Sequence, residues 1–178
     1  KQDAEDIQLS HIETIRTLII ASEYRDDDTG AHVGRIGLYA KQLAELKGLS
    51  EEYIDGLYYA SALHDIGKLA IPDSILQKKG ALTEEEFEQV KQHTIIGERI
   101  LSNASISPYL KLGGEVALTH HECWDGSGYP KGLSGKNIPL AGRIVAICDV
   151  YDALRSPRPY KPAFSHEKAI SIIRHGDG

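Results

Sequence analysis

Apolar residues recur at helical spacing along most of the chain, and no segment has the strict alternation typical of a half-buried β-strand. Several apolar runs follow helix-start signals, namely Ser50, the capping box Thr83–Glu86, Ser107-Pro108, Pro139 and Ser165. The pattern predicts an all-α domain of about seven helices, near residues 3–22, 31–48, 50–63, 83–101, 107–121, 139–154 and 165–176.

The composition is ordinary for a globular domain, with 178 residues, 41% of them hydrophobic and 26% charged. The net charge of −6 argues against binding to a nucleic-acid polymer. No apolar run approaches the roughly 20 residues that span a membrane, so we expect no membrane contact in this fragment. The two cysteines form no disulfide framework, and we expect reduced thiols in a cytoplasmic protein.

The charge is unevenly distributed along the chain. Residues 119–161 carry six basic and four acidic side chains, so this segment is +2 while the remainder is −8. A small anionic ligand fits this distribution better than a polymer does.

The start of the chain predicts a piece of a longer polypeptide. The chain has no Met and begins in the polar segment Lys1-Gln2-Asp3. We expect residues 1–22 to form a helix that connects to a missing upstream domain, and residues 23–178 to form the functional domain.

The strongest chemical signal is the dipeptide His64-Asp65, at the end of the apolar segment 54–63. Imidazole nitrogens and carboxylate oxygens are ligands for Zn, Fe and Mn. The dipeptide alone is a weak signal, but the chain holds more residues of these types: His32, His93, His120, His121 and Asp149. Asp149 follows the apolar run 144–148, where a carboxylate needs a cationic partner. A salt bridge to Arg or Lys and a metal ion both remain open.

The adjacent pair His120-His121 constrains such a centre. Neighbouring residues on a helix point about 100° apart, so both can serve one centre only if it is wide or lies near the helix end. A two-metal site with Asp65 as bridging ligand meets this condition. Metals about 3.5–4 Å apart can clamp both the attacking and the leaving oxygen of a phosphoester. The mixed ligand types favour Fe, Mn or Zn over Mg or Ca.

Two further segments could bind a ligand. The Gly-rich stretch 124–132 must turn sharply and follows His121 closely, so Trp124 and Tyr129 could offer ring faces to a nucleobase. Arg158 and Lys161 follow the Asp149 helix and could hold phosphates. Each segment by itself is equally compatible with an ordinary loop.

Together these motifs resemble the HD-GYP domain, a branch of the HD metal-dependent phosphohydrolases. The resemblance is carried by His64-Asp65-Ile66-Gly67-Lys68, His120-His121-Glu122 and Gly128-Tyr129-Pro130, and it extends over nearly the whole chain. It implies an HD-superfamily helical bundle, with residues 23–178 as the catalytic domain. It also implies hydrolysis of cyclic di-GMP to pGpG, and possibly on to GMP, by a bi- or trinuclear Fe or Mn centre.

The resemblance also implies roles for individual residues. The metal ligands would be His32, His64, Asp65, His93, His120, His121 and Asp149. Asp65 and Lys68 would be catalytic, with Lys68 reaching a substrate phosphate or the attacking water. The other substrate contacts would be Gly128, Tyr129, Pro130, Arg158 and Lys161.

One position departs from the trinuclear pattern. Trinuclear members carry Glu four residues before the first ligand His, whereas this chain has Asp28 there, so we expect two metals rather than three. The resemblance also suggests an upstream receiver or other sensor domain, and a homodimer is possible.

Three alternatives to a cyclic di-GMP phosphodiesterase remain open at this point. The domain could be a cyclic di-GMP receptor or interaction module with little turnover. It could hydrolyse another cyclic dinucleotide, or pGpG. In a purely structural domain, the convergence of histidines and aspartates would be coincidental.

Overall fold

The structure is a computed structural model, and it describes residues 12–13, 15, 17–20, 30–102, 107–157 and 162–176. These residues form seven α-helices and two 3₁₀-helices, with no β-strand among them. The α-helices are α1 (Gly30–Leu46), α2 (Glu51–Ser61), α3 (Asp73–Leu76), α4 (Glu84–Ser102), α5 (Pro108–Thr119), α6 (Leu140–Arg155) and α7 (His166–His175). The 3₁₀-helices are Ile66–Ala70 and Gly135–Asn137, and residues 12–13, 15 and 17–20 are also helical.

The expected all-α fold is therefore confirmed, and the local signals mark the helix starts correctly. The Ser50 hydroxyl accepts a hydrogen bond from the Tyr53 amide at 3.3 Å. Thr83 and Glu86 form the reciprocal capping box, with bonds of 3.2 and 2.8 Å. Ser165 caps the start of α7, and Gly176, with a φ of 68°, caps its end directly after His175.

Two details differ from the prediction. Helix α2 ends at Ser61 rather than near Leu63, because the chain turns there into the 3₁₀-helix Ile66–Ala70. The short helix α3 and the two 3₁₀-helices carry too few residues to show a helical period. Most of the predicted first helix lies outside the described residues.

Two apolar cores hold the helices together. The larger one joins α1, α2, α5 and α6 through fully buried residues such as Ile36, Leu57, Val116 and Val145. The smaller one lies beneath the His64-Asp65 segment and includes Leu63, Ile66, Leu101 and Ala117. The cores bring the ends of several helices to one place. Separately, none of the described helices is long and apolar enough to cross a membrane.

A close contact between two main chains fixes the position of the His64-Asp65 segment. The 3₁₀-helix Ile66–Ala70 packs directly on α4, and a Cβ atom at Gly67 would overlap the His93 carbonyl oxygen. Only glycine allows this approach. The contact holds Asp65 next to the histidine of α4.

Candidate metal centre

The seven predicted metal ligands lie in two groups, and within each group one donor atom per residue falls within 4.8 Å of the others. We call Asp65, His93, His120 and His121 the His93 cluster, and His32, His64 and Asp149 the His32 cluster. The ligands come from positions as far apart as α1 and α6, so the fold, and not local sequence, brings them together.

In the His93 cluster the ring nitrogens are oriented by the main chain. His93 Nδ1 lies 2.7 Å from the Val90 carbonyl, and His120 Nδ1 lies 3.0 Å from the Ala117 carbonyl. A carbonyl only accepts, so each Nδ1 carries the proton and each Nε2 presents a lone pair. The two Nε2 atoms are 3.5 Å apart and lie 3.2 and 3.6 Å from Asp65 Oδ1.

His121 joins the same cluster because α5 ends at Thr119, just before the histidine pair. The His120 and His121 ring centroids are 4.0 Å apart. This is the helix-end geometry that allows two adjacent histidines to face one centre. Burial, together with the nearby His120 and His93 rings, lowers the pKa of His121 to about 2, so its ring is neutral without a metal.

The His32 cluster is held in a different way. His64 Nδ1 donates to the Ser61 carbonyl at 2.8 Å, whereas His32 Nδ1 lies 2.7 Å from the Asp152 carboxylate. His32 Nε2 is 3.7 Å from Asp149 Oδ1. Among the described residues no Arg or Lys forms an ion pair with Asp149, so the salt-bridge alternative finds no support there. Asp149 is also less buried than its apolar neighbours predict, with 27% of its side chain exposed.

Asp152 is a residue of this site that the sequence analysis missed. It is 1% exposed, and besides His32 it binds Arg35 through two bonds, from Nε at 2.6 Å and from Nη2 at 2.8 Å. Burial opposes its charge, but hydrogen bonds from Arg35 and His32 hold the pKa of Asp152 below its usual range. The sequence signal that could have identified Asp152 is its position one helical turn after Asp149.

Asp65 lies between the two clusters. Oδ1 faces the His93 cluster, while Oδ2 lies 3.3 Å from His64 Nε2 and 2.7 Å from Lys68 Nζ. Burial opposes the charge of Asp65, but His64, His120 and His93 hold its pKa well below the usual range. This position, in reach of both clusters, is that of a carboxylate that can bridge two metal ions.

The donor atoms of the two clusters are better placed to bind metal ions than to form hydrogen bonds with one another. His64 Nε2 and Asp65 Oδ1 are both buried, and neither has a hydrogen-bond partner in the described structure. Such orphaned polar atoms are costly to bury unless something else binds them. Histidines that donate through Nδ1 and converge through Nε2 are also the usual arrangement of metal-bound imidazoles. The two clusters therefore suit divalent metal ions.

Without a metal, His64 is positively charged at neutral pH. Burial opposes that charge, but the adjacent Asp65 carboxylate outweighs it and raises the pKa of His64 to about 9. His64 must release its proton before it can bind a metal through Nε2.

The predicted loop at residues 128–130 lies against the His93 cluster. The Tyr129 ring stacks on His121, with centroids 4.8 Å apart and an interplanar angle of 27°. Gly128 passes so close to the main chain of residues 121–123 that a Cβ atom there would overlap it. The Tyr129-Pro130 peptide bond is cis.

Glu122 is a second residue whose role the sequence did not reveal. It is buried, and its two carboxylate oxygens accept hydrogen bonds from the Lys131 and Leu133 amides, both at 2.8 Å. It thereby ties the loop to the residue that follows His121. Trp124, by contrast, is 62% exposed and lines an outward-facing groove with Leu43, Leu46 and Ile147, none of which is a candidate ligand.

Three predicted site residues lie outside the described residues: Asp28, Arg158 and Lys161. Their proposed roles remain predictions.

Known proteins are similar to this chain over most of its length. The family model described as HD domain matches residues 17–178. The cyclic di-GMP phosphodiesterase of Thermotoga maritima is 51% identical over 166 residues, which cover 93% of this chain and 45% of that protein. The cyclic di-GMP phosphodiesterase response regulator RpfG of Xanthomonas campestris is 48% identical over 161 residues, covering 90% of this chain and 42% of its own.

A relative with a different substrate in its name is almost as similar. The 3'3'-cGAMP-specific phosphodiesterase 2 of Vibrio cholerae is 47% identical over 163 residues, covering 92% of this chain and 31% of that protein. The chain thus spans less than half the length of these three relatives.

A solved structure agrees with the fold. An HDG"Y"P protein from Bdellovibrio bacteriovorus has a TM-score of 0.61 and 21% identity, covering 81% of this chain and 46% of that one. With the family match, the relatives and the convergence of the HD ligands, the chain belongs to the HD-domain family, in the HD-GYP branch that its motifs indicate.

Proposed function

We propose that this chain is the catalytic domain of a metal-dependent phosphodiesterase that hydrolyses cyclic di-GMP to pGpG. The observation that carries the proposal is the position of Asp65, whose two carboxylate oxygens face two separate clusters of candidate metal ligands. A site of this kind suits the in-line cleavage of a phosphodiester.

Two divalent metal ions fit this proposal better than one. The His93 cluster offers three neutral imidazoles and a carboxylate, and the His32 cluster offers two imidazoles and a carboxylate. Histidine with carboxylate favours Fe or Mn over Mg or Ca, and the shorter side chain of Asp28 argues against a third metal. When bound, such ions supply Lewis acidity that activates water and stabilises negative charge on phosphate oxygens.

The chain's own residues would divide the remaining work. Asp65 would hold the two metals at a fixed separation, and Lys68, whose ammonium lies 2.7 Å from Asp65 Oδ2, would stabilise charge that develops on the phosphate. The loop at Gly128, Tyr129 and Pro130 would border the substrate beside His121. Arg158 and Lys161 would bind the phosphates.

The names of the relatives support cyclic dinucleotides as the substrate class. Since relatives of 51% and 47% identity carry cyclic di-GMP and 3'3'-cGAMP in their names, both nucleotides belong in the same assay. We expect cyclic di-GMP to be the better substrate.

Replacing Asp65 by Ala tests the proposal most directly. We expect Asp65→Ala to lose both metals and to reduce turnover by on the order of 10³-fold or more, because the shared ligand is gone. Elemental analysis after anaerobic purification and chromatography of the nucleotide products measure the two effects.

The matched control is Asp55→Ala, which removes an exposed carboxylate paired with Lys41 on the outside of α2. It should keep metal and turnover at the parental level. Unchanged hydrolysis by Asp65→Ala would refute the proposal, as would a metal-loaded parent protein that binds cyclic di-GMP without hydrolysing it.

The proposal extends to the rest of the polypeptide. We infer an upstream receiver or sensor domain, connected through residues 1–22, because one similar protein is named a response regulator and the relatives are more than twice as long as the matched segment. A homodimer and a cytoplasmic location stay predictions.

A further inference from the structure

An aromatic ladder leads outward from the metal ligands to the first turns of α4. The Tyr129 ring, which stacks on His121, meets the Phe87 ring with centroids 6.2 Å apart at an angle of 80°. Lys91 Nζ lies over both rings, 4.9 Å from the Phe87 centroid and 5.5 Å from the Tyr129 centroid. Phe87 and Lys91 are one helical turn apart and therefore share a face of α4.

Phe87 contributes little to the apolar cores. It is 43% exposed and stands between acidic residues at the start of α4, where the neighbouring positions are Glu84, Glu85, Glu86 and Glu88. The part of Phe87 that remains exposed beside the Lys91 ammonium and the His93 cluster is available to a ligand. The centroid steps from His121 to Tyr129 and from Tyr129 to Phe87 are 4.8 and 6.2 Å, so Phe87 lies one ring beyond the ring that stacks on a candidate ligand.

Lys91 has the hydrogen-bonding capacity that such a ligand requires. Its ammonium pairs with the exposed Glu88 carboxylate at 2.6 Å, and an exposed pair of this kind is weak and readily exchanged. An ammonium donates to the O6 and N7 acceptors of guanine, whereas adenine presents an amino donor at the corresponding edge. For a base stacked on Phe87, the ammonium would swing from its position over the ring to the edge of the base, which the flexible four-carbon side chain of lysine allows.

We propose that Phe87 and Lys91 form a guanine-binding subsite at the rim of the metal centre, where Phe87 stacks on one base and Lys91 donates to its O6 and N7. This inference rests on the proposed function, since it concerns the base of a substrate whose phosphate lies at the metal ligands. The subsite makes a purine dinucleotide, and guanine in particular, the favoured occupant.

Substitutions at Phe87 test the stacking contact. We expect Phe87→Ala to raise KM for cyclic di-GMP, and its Kd measured by calorimetry, by on the order of 10-fold, with kcat within about twofold of the parent. Phe87→Trp should keep both values near the parental level, because its ring still stacks. Phe87→Leu should behave like Phe87→Ala, since it keeps apolar volume against Tyr129 but has no planar face.

Lys91→Met tests the edge contact separately. It keeps the length of the side chain and removes the donor, so the preference for cyclic di-GMP over cyclic di-AMP, expressed as the ratio of kcat/KM, should fall about tenfold. The matched control for Phe87→Ala is Ile100→Ala, which shortens another exposed apolar residue of α4, 39% exposed, and should change none of these values.

The outcomes separate the subsite from the proposed function. Unchanged KM and Kd in Phe87→Ala, or parental KM and Kd in Phe87→Leu, would overturn the subsite, because a residue that only supports Tyr129 would tolerate Leu. A parent protein that binds cyclic di-GMP without turnover would refute the proposed function, and the Kd values would then decide the subsite. A parent that neither binds nor hydrolyses it would refute both.

Discussion

The two halves of the candidate metal centre are built differently. In the His93 cluster, His93 and His120 are oriented by carbonyl oxygens of their own helices, at Val90 and Ala117. In the His32 cluster, His64 is also oriented by a main-chain carbonyl, that of Ser61, but His32 is oriented by a side chain, the Asp152 carboxylate, which lies 120 residues further along the chain. The first half is therefore protected from most substitutions around it, whereas the second half depends in part on a side chain that a single mutation removes.

The protonation states differ as well. His121 in the first half is neutral without a metal, while His64 in the second half carries a proton that a metal must displace. We therefore expect the His93 cluster to bind its metal more tightly and with less dependence on pH than the His32 cluster does.

Removing Asp149 should separate the two halves. We expect Asp149→Ala to lower the metal content from two ions per chain to one and to reduce turnover by on the order of 10²-fold, because only the His32 cluster loses its carboxylate. Elemental analysis beside Asp65→Ala, which should hold neither ion, measures the difference. Loss of both ions in Asp149→Ala would show that the halves do not bind independently.

Replacing Asp152 by Asn should give the next largest effect. The change keeps the volume of the side chain but removes the charge that orients His32 and pairs with Arg35, so metal affinity of the His32 cluster should fall about 10- to 100-fold. Competition with a metal chelator measures the affinity.

The matched control for Asp152→Asn is Val90→Ala. It alters a residue that also orients a ligand, but it leaves the carbonyl in place, so metal affinity should stay within about threefold of the parent. A larger loss in Val90→Ala than in Asp152→Asn would contradict the distinction between the two halves.

The pH dependence of metal binding should also distinguish the two halves. Since the pKa of His64 is about 9, apparent affinity of the His32 cluster should rise about tenfold per pH unit from neutrality to about pH 9 and level off above it. Asp149→Ala, which keeps only the His93 cluster, should give a flatter profile in the same competition titration. A steep profile in that variant would assign the proton to another ligand.

The raised pKa of His64 also predicts how the stability of the metal-free protein depends on pH. The raised pKa of His64 stabilises the fold fully below the ordinary histidine pKa of about 6.5, and this contribution is lost as the pH rises through about 9.

Several of the candidate ligands could be selected from the sequence because they carry a local signal. Polar residue types that bind metals stand at helix ends or within apolar runs, as His64, His120 and Asp149 do, and the helix starts carry capping residues such as Thr83. Such signals depend only on residues that are close in sequence, so they can be read without knowledge of the fold.

The supporting contacts could not be predicted, because they join distant positions. Asp152 looks like one more polar residue of α6 until the fold brings His32 and Arg35 to it. Glu122 belongs to a recognisable motif, but its bonds to the Lys131 and Leu133 amides depend on how the loop returns. The end of α2 was placed two residues late because the turn after Ser61 is set by packing on α4.

The contact at Gly67 has a consequence for the metal-free protein. The separation between Asp65 and His93 is set by two main chains in van der Waals contact, and a single added methyl group would force them apart. Such a spacing does not require an ion to maintain it. The metal-free protein should therefore already hold Asp65 and His93 at binding distance, and metal uptake should need little rearrangement of the backbone. The chain should then be able to fold either before or after it binds metal.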